Sequence, residues 1–303
     1  MKAIRFTRYG GPEVLTVAEV EPPRAGLGQI RIAVRASGVN PSDWKRRQGL
    51  FEEVTFPAGV GVEASGVVDE IGPGVTGVAL GDAVFGFGTD TAAEQAILFH
   101  WATKPDNVPF EVAGGLPVIS DTATRALDEV GIEAGETLLV SGAAGGIGSA
   151  VVQLARLRGI AVVGTASAGK HDYLRGLGAI PTTYGPGLKA RVAALVPRGI
   201  DAALDIAGSG VIPELIDIVG APARVLSVAD VSAESYGAKF SHGPPKNPER
   251  IFTSMAQLCS EGRFHLHIDR TFALEQTAEA HRISAEGRVT GKLVICPDRR
   301  LSS

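Results

Sequence analysis

The stretch that decides the fold is LLVSGAAGGIGSAVVQLAR, residues 138–156, in which a cluster of glycines separates an apolar run from an apolar helical pattern. Glycine inside an element costs roughly 0.5–1 kcal/mol relative to alanine, because the chain loses more freedom on folding. Such a cluster therefore needs a compensating role. A strand predicted over 136–141 leads through the glycines into a helix predicted over 146–158, so the cluster lies at a strand–turn–helix junction.

Strands and helices alternate on the carboxyl side of this junction. Strands are predicted over 160–166, 201–206 and 224–228, and helices over about 170–177, 188–196 and 211–219. This rhythm indicates βαβ units and a parallel sheet. Residues 1 to about 115 instead hold short β-runs broken by glycine and proline, which predicts a small, mostly antiparallel β domain, and a last strand is predicted over 291–295.

Composition limits the class of protein. With 303 residues, and roughly 150 residues per domain as a prior, two domains are expected. A net charge of −4 gives no electrostatic reason to expect nucleic acid or an anionic membrane as a partner. The two cysteines, Cys259 and Cys296, are too few for a disulfide framework and are expected to be small buried hydrophobes. With no signal-peptide core and no run of membrane length, the expected location is the cytoplasm.

The glycine cluster lies where the pyrophosphate of a dinucleotide binds a helix N-terminus. Gly145 and Gly146 would let backbone N–H groups approach the phosphates, and Gly148 would let the helix pack closely on the strand. Ala143 stands where the usual G-x-G-x-x-G pattern has its first glycine, and a simple tight turn is the alternative. The strand–turn–helix context favours a cofactor loop. That loop comprises Ala144, Gly145, Gly146, Ile147 and Gly148.

The end of the second strand indicates which dinucleotide is bound. An NAD site usually carries Asp or Glu there to hold the ribose 2′-OH. This chain has Thr165, Ala166 and Ser167 instead, followed by Lys170 and His171. A hydroxyl and a cation suit a 2′-phosphate, so the cofactor predicted is NADPH. The alternative is that Lys170 is a solvated residue in the first turn of a helix.

Six stretches of the chain resemble one family. They are MKAIRFTRYGGPEVL, SGVNPSDWKRRQG, GVGVEASGVV, AAGGIG, GTASAGKHDYLRGLGA and EAHRISAEGRVTGKLVI, and they run in order from residue 1 to about 296. The chain resembles the zinc-independent NADPH:quinone oxidoreductase branch of the medium-chain dehydrogenase/reductase superfamily. The resemblance implies an α/β fold with a GroES-like, mostly β catalytic domain (1–118 and 259–303) and a doubly wound Rossmann domain (119–258). It also implies an active-site cleft at their junction and a homodimer.

The chain departs from the zinc-containing relatives at the metal ligands. Those relatives carry a cysteine ligand where this chain reads Gly38-Val39-Asn40, and a Gly-His-Glu motif where it reads Gly61-Val62-Glu63. Catalytic zinc needs about three side-chain ligands. His265 and His267 form an H-x-H pair on a predicted strand, but no third ligand is nearby in the sequence. No metal is therefore expected. Quinones and α,β-unsaturated carbonyls suit such a site, because they delocalise the incoming charge onto a remote oxygen.

The resemblance also implies site residues. Asn40 is implied as a donor to a carbonyl or to the cofactor amide, Asp43 as a residue that fixes a loop or a neighbouring cation, and Lys45 stands where some relatives carry a proposed proton donor. The alternative for Lys45-Arg46-Arg47 is a solvated face. The positions that the resemblance implies on the cofactor side are Thr122, Lys170, Tyr184, Val228, Phe240, Ser241, Gly291 and Lys292, in addition to Ser167 and His171 from the strand end. Phe240 has the alternative of a core residue, and Lys292 that of a surface residue in a terminal strand.

Three functions fit these residues. The first is NADPH-dependent reduction of a small-molecule quinone or activated alkene. The second is reduction of an enoyl thioester. The third is an NADPH-binding redox sensor or structural protein with little turnover, because no catalytic acid is evident in the sequence.

Overall fold

The computed structural model describes residues 1–51 and 53–298. Its strands are β1 (Lys2–Arg5), β2 (Thr16–Glu19), β3 (Ile30–Val39), β4 (Glu63–Ile71), β5 (Ala83–Thr89), β6 (Gln95–Thr103), β7 (Thr137–Ser141), β8 (Ala161–Thr165), β9 (Ile180–Thr182), β10 (Ala202–Asp205), β11 (Val225–Ser227), β12 (Lys239–Phe240), β13 (Ile268–Phe272) and β14 (Lys292–Ile295). Its α-helices are α1 (Pro41–Arg47), α2 (Phe110–Gly114), α3 (Leu116–Val130), α4 (Gly146–Leu157), α5 (His171–Leu177), α6 (Leu188–Leu195), α7 (Ile212–Val219), α8 (Pro248–Ser260) and α9 (Thr277–Ala285). Short 3-10 helices cover Pro12–Val14, Ala168–Lys170, Pro222–Arg224, Val231–Tyr236 and Leu274–Gln276.

One compact unit, Ile119–Lys246, is built on a parallel sheet. Its six strands lie in the order β12-β11-β10-β7-β8-β9, and every neighbouring pair is parallel. Counted from β7, this is the doubly wound Rossmann order, and the direction of winding reverses between β7 and β10. The Rossmann expectation is confirmed.

The central strands of this sheet read as continuous apolar runs because both of their faces are covered. Leu138, Leu139 and Val140 of β7 are fully buried, as are Ala202, Ala203 and Leu204 of β10. These strands fix the position of the turns that follow their carboxyl ends.

The other unit combines Met1–Val118 with the chain from Asn247 onward. Its main sheet has the order β13-β14-β3-β4-β5-β6, and β3 also pairs with β6, so β3 to β6 close into a small antiparallel barrel. Ile30, Ile32 and Val34 alternate along β3 and fill the interior with other buried apolar residues. This is the GroES-like β domain expected from the sequence, and that expectation is confirmed.

The second boundary between the units differs from the expected one. We expected it between 258 and 259, whereas the structure divides the chain between Lys246 and Asn247. The reason is α8, which packs on the β barrel: the ring of Phe252 lies 5.9 Å from that of Phe85 and 5.0 Å from that of Phe87. Buried aromatic pairs of this kind favour assigning the whole helix to the first unit.

Helices α1 and α2 interrupt a region that we expected to be almost free of helix.

In the part of the chain that the structure describes, no helix combines the length and the hydropathy needed to cross a bilayer.

Candidate cofactor and active site

The glycine loop joins β7 to α4 at the point where the sheet reverses. Gly142 adopts a φ of +80°, which favours glycine. Its N–H lies 3.3 Å from Thr165 Oγ1, and the N–H of Ala143 donates to the Thr165 carbonyl at 3.1 Å. The loop is thus held against the end of β8.

Helix α4 packs so closely on this loop that only glycine fits at its third residue. A Cβ atom at Gly148 would lie 2.2 Å from the carbonyl oxygen of Gly142 and 2.7 Å from the Cα of Ala143. The helix starts at Gly146, and its N-cap, Gly145, has no side chain to accept from the first turn. First-turn N–H groups have no acceptor within their own helix and lie at its positive end. The loop therefore fits a phosphate group.

The candidate residues of this unit follow the carboxyl ends of its parallel strands, which lie at one edge of the sheet. Ser167, Lys170 and His171 follow β8, Tyr184 follows β9, Val228 follows β11, and Phe240 and Ser241 lie at and after the end of β12. Ser167 and Tyr184 are exposed and Lys170 is half-buried. The ring of Phe240 stacks on His242 at 5.5 Å. A hydroxyl group and a cation at this position suit a bound phosphate, whereas a carboxylate side chain there would repel it.

Sequence reasoning missed a cation beside this group. Arg191 of α6 donates to the carbonyls of Thr183 at 3.0 Å, Gly185 at 2.9 Å and Pro186 at 2.8 Å. It thereby fixes the turn that carries Tyr184. No local pattern identifies this role, because the acceptors are backbone carbonyls.

A buried carboxylate at the reversal point was also missed. Asp205, the last residue of β10, is fully buried and accepts from the N–H of Gly208 at 3.0 Å and from Ser227 Oγ at 2.9 Å. It orders the turn after β10 and connects it to the end of β11. The sequence did contain a signal for this role: a carboxylate ends an apolar strand and is followed by a turn that contains glycine.

Thr122 lies half-buried on α3, next to an ion pair on the same helix. Arg125 Nε is 3.7 Å from Asp121 Oδ2, and the Arg125 guanidinium donates to Ser241 Oγ. Burial raises the pKa of the Asp121 carboxyl, while Arg125 opposes that rise. Two candidate positions, Thr122 and Ser241, are therefore on elements that this arginine joins.

In the other unit, three polar side chains from distant parts of the chain form one buried cluster. Lys292 Nζ lies 2.7 Å from Glu63 Oε1 and donates to Asn40 Oδ1 at 2.6 Å, and Asn40 Nδ2 donates to Glu63 Oε1 at 2.8 Å. Glu63 Oε2 accepts from the N–H of Val118 at 2.8 Å. All three are at least nine-tenths buried, so Lys292 is not a surface residue. We named Asn40 and Lys292 from the sequence, but missed Glu63 as a site residue.

Asp43 adjoins this cluster and caps α1. Its Oδ2 accepts from the N–H of Asn40 at 2.7 Å, one arm of a capping box, and Pro41 occupies the first helical position. Burial raises the pKa of the Asp43 carboxyl to about 7, against the opposing effects of the Asn40 N–H and the charge of Lys292. Asp43 thus fixes the backbone that presents Asn40.

Lys45 and Arg46 are partly exposed, whereas Arg47 is buried. Lys45 Nζ lies 5.7 Å from the centre of the Trp44 ring. Arg47 is 1% exposed, donates to the Gly10 carbonyl at 3.1 Å and lies 3.2 Å from His281 Nδ1. Burial and the nearby arginine lower the pKa of His281 to about 3, so the imidazole is neutral and accepts from Arg47. The solvated-face alternative is therefore wrong for Arg47.

The histidine pair lies outside the strand where we expected it. His265 and His267 are exposed and precede β13, and a Cβ atom at Gly291 (φ +66°) would lie 2.2 Å from the His267 carbonyl oxygen. Within residues 1–51 and 53–298, no group of three or more His, Cys, Asp or Glu side chains is arranged to hold a metal. Burial raises the pKa of the Cys259 thiol to about 12, so it is not poised as a nucleophile. The expectation that no metal is bound stays a prediction.

Comparisons with known proteins agree with this architecture. Residues 26–100 match the family model of the alcohol dehydrogenase GroES-like domain, and residues 187–295 match the model called zinc-binding dehydrogenase. A solved structure of the quinone oxidoreductase from Coxiella burnetii superposes with a TM-score of 0.88 at 28% identity, covering 98% of this chain and 99% of that one.

Curated relatives are reductases and segments of larger synthases. The chain is 31% identical to 2-methylene-furan-3-one reductase of Solanum lycopersicum, over 98% of this chain and 79% of the relative. It is 37% identical to the chloroplastic NADPH-dependent alkenal/one oxidoreductase of Arabidopsis thaliana, over 59% of this chain and 51% of the relative. It also matches two Streptomyces polyketide synthase proteins, of whose lengths it spans only 8% and 13%. The chain therefore belongs to the medium-chain dehydrogenase/reductase superfamily, in its quinone oxidoreductase branch.

Proposed function

We propose that this protein is an NADPH-dependent oxidoreductase that transfers a hydride to a quinone or to an α,β-unsaturated carbonyl compound. The observation that carries the proposal is the glycine loop at the reversal point of a Rossmann sheet, with the first turn of α4 free to bind a pyrophosphate. The names of the two reductase relatives support the same chemistry.

The cofactor half of the proposal assigns a role to each group along the sheet edge. The N–H groups from Gly146 to Gly148 bind the pyrophosphate, and Ser167, Lys170 and Tyr184 surround the 2′-phosphate. A 2′-phosphate is negatively charged and has several acceptor oxygens. A hydroxyl donor and an ammonium beside it therefore favour NADPH over NADH, which lacks this phosphate. Thr122, Val228 and Ser241 line the nicotinamide end.

The substrate half of the proposal places Asn40 at the reacting oxygen. When bound, the nicotinamide supplies the hydride. Asn40 donates a hydrogen bond to the oxygen that gains negative charge, Asp43 holds the backbone of Asn40, and Lys45 is the candidate proton donor. A fixed donor at that oxygen lowers the barrier only if it is already oriented before reaction.

Purified protein tests the proposal when NADPH oxidation is followed by absorbance with three panels: quinones, enones and a crotonyl thioester. Turnover is expected with quinones or enones. Tight NADPH binding without turnover on all three panels would support the redox-sensor or structural role instead. Absence of NADPH binding would overturn the proposal altogether.

Enoyl-thioester reduction is the second candidate. It is favoured by the match of 94% and 88% of this chain to segments of polyketide synthase proteins. A crotonyl thioester reduced much faster than any quinone or enone would select this function. The homodimer and the cytoplasmic location expected from the sequence stay predictions.

A further inference from the structure

We propose that Glu63 and Lys292 are positioning residues that hold the side-chain amide of Asn40 in one orientation and strengthen it as a donor. The inference rests on the proposed function, in which Asn40 donates to the oxygen that becomes negative. It assigns a task to a buried ion pair that neither the glycine loop nor the cofactor contacts require.

The three side chains form a closed ring of contacts. The ammonium of Lys292 donates to Asn40 Oδ1, the amide Nδ2 donates to Glu63 Oε1, and the same Oε1 lies 2.7 Å from the ammonium. A flipped amide would turn its NH₂ group toward an ammonium, which has no acceptor, and its oxygen toward a carboxylate, which has no donor. The ion pair therefore permits one amide orientation only.

The ring leaves a defined part of the amide for another acceptor. An amide nitrogen carries two hydrogens, and Glu63 engages one of them. The positive charge on the other side, at Oδ1, draws electron density from the nitrogen and makes the second N–H a stronger donor. Lys292 thus acts on the reacting oxygen through Asn40 rather than by touching it.

Glu63 is itself held rigidly, which the ring requires. Its second oxygen accepts from the N–H of Val118, and its first lies so near Gly38 that a Cβ atom there would be 2.2 Å away. The Lys292 stem packs near Gly115, where an added Cβ would lie 3.0 Å from Cγ. Buried ion pairs are weak evidence for stability, since desolvation offsets their attraction, so a positioning role is the better explanation for this one.

The first experiment measures the orientation of the amide without any turnover. The side-chain NH₂ signals of Asn40 are assigned by NMR through their loss in Asn40→Leu, and their hydrogen exchange is compared in the wild type and in Lys292→Met. We expect slow exchange in the wild type and loss of that protection in Lys292→Met. Unchanged signals and unchanged protection would overturn the proposal, whatever the enzyme reduces.

The second experiment is a double-mutant cycle on kcat and KM. Lys292→Met is expected to lower kcat about 10-fold or more in the wild-type background, because a misplaced catalytic group loses rate steeply. In the Asn40→Leu background the same substitution is expected to change kcat less than about twofold, since residues that act as one unit are non-additive. A full loss in that background would show that Lys292 acts independently of Asn40, and the proposal would fail.

Lys104 offers a matched control. It is another buried lysine of the same unit, but its ammonium donates to the carbonyls of Pro105 and Val108. Lys104→Met is expected to lower the melting temperature while leaving kcat within about twofold of the wild type, since it tests burial alone. An equal loss of kcat in Lys104→Met would show that the effect of Lys292→Met comes from general destabilisation, and it would overturn the proposal.

If Lys292→Met does not fold, Glu63→Gln combined with Lys292→Met removes both charges and leaves neither unpaired. The same exchange and kinetic comparisons then apply. A wild type that turns over none of the three substrate panels would defeat the proposed function, and the exchange experiment would still decide whether the ion pair orients Asn40.

Discussion

At the scale of single residues, buried ionisable groups are the most informative feature of this protein. Glu63, Lys292 and Asp43 meet in one unit, and Asp205 is buried at the reversal point of the other sheet. Charged groups are buried in proteins only where partners compensate for lost hydration. Each of these four has such partners, so each marks a place where the backbone is held in a specific arrangement.

The Asp43 carboxyl is expected to make stability depend on pH near neutrality. Its pKa is raised from 3.8 to about 7, so between these values the folded chain keeps a proton that the unfolded chain releases. Its contribution to stability is therefore complete below about pH 4 and is lost as the pH rises to about 7. Asp43→Asn should abolish this decline in the free energy of unfolding, measured with urea between about pH 5 and pH 8.

The carboxylate of Asp172 supplies the control, because its side chain is 97% exposed and forms a surface ion pair with Arg175. Asp172→Asn should give a pH profile parallel to that of the wild type. Parallel profiles for Asp43→Asn and the wild type would contradict the prediction.

Gly148→Ala should destabilise the second unit. The added methyl would lie 2.2 Å from the Gly142 carbonyl oxygen, so the loop or the helix must shift, at a cost of about 1–3 kcal/mol. A thermal melt followed by circular dichroism measures this loss, and fluorescence titration should show weaker NADPH binding. Gly176→Ala in α5 is the control: a Cβ there meets nothing within 4 Å, and alanine should stabilise the helix by about 0.5–1 kcal/mol. Equal melting temperatures for the two variants would show that the close approach is not rigid.

Lys170→Ala should impair binding of NADPH and not of NADH. A partly exposed ammonium contributes about 1 kcal/mol to a phosphate contact, so KM for NADPH should rise about fivefold. The difference should shrink at high salt, because it is largely coulombic. Lys189, whose ammonium pairs with Asp217 at 2.8 Å, is the control, and Lys189→Ala should change neither KM. An equal effect of Lys170→Ala on both cofactors would contradict the phosphate contact and would support the alternative that Lys170 is a solvated residue in the first turn of a helix.

The sequence indicated some of these residues and concealed others for a physical reason. The glycine loop was indicated by its strand–turn–helix context, and Asn40 was indicated by the family resemblance. Glu63 stands at the glutamate of the Gly-His-Glu motif of the zinc-containing relatives, but that position indicated only the loss of a metal ligand. Its hydrogen bonds to Asn40 and Lys292 depend on residues 23 and 229 positions away in the chain. The local sequence pattern around Glu63 or Lys292 does not show that the two side chains are buried as an ion pair.

At the scale of elements, β7, β8, β10 and β11 and the helices between them were predicted closely, because fully buried parallel strands have continuous apolar runs. The short strands β9 and β12 were not predicted. Helix α1 was missed although the signals were present: Asn40 stands before Pro41, and Asp43 follows at the third helical position. Helix α8 was divided by the expected domain boundary, because its proline-rich entry resembles a long loop. Its proline occupies the first turn, where no N–H is needed.

Phe252→Ala should show how much α8 contributes to the first unit. Its ring is fully buried against Phe85 and Phe87, so its removal should cost about 3–5 kcal/mol. Both tryptophans, Trp44 and Trp101, belong to this unit, so denaturant unfolding followed by tryptophan fluorescence reports on it. Phe99→Ala, at a side chain 39% exposed, is the control and should cost about 1 kcal/mol or less. Similar midpoints for the two variants would contradict the assignment of α8 to the first unit.

At the scale of the whole molecule, one unit is continuous in sequence and the other is not. All strands of the Rossmann sheet lie between residues 119 and 246, whereas β14 must return to pair with β3. A fragment of residues 119–246 should therefore fold alone, with a cooperative thermal transition in far-ultraviolet circular dichroism. A fragment of residues 1–118 should not, because it lacks β14 and with it Lys292, the ammonium partner of Glu63. The expectation would be contradicted if the fragment 1–118 folded cooperatively, or if the fragment 119–246 did not.

Because β14 pairs with β3, the first unit cannot be completed on the ribosome until the end of the chain has been translated. When Glu63 emerges from the exit tunnel, its ammonium partner has not yet been translated, and it stays untranslated until the whole Rossmann unit has followed. During that interval the Ser37–Val39 end of β3 lacks its partner strand, and the Glu63 carboxylate lacks the ammonium that compensates for its burial. We expect the Rossmann unit to be the first to fold during translation, although it is encoded second. We expect the amino-terminal part to expose unpaired strand and apolar surface until the last strand arrives, as folding intermediates of larger proteins do.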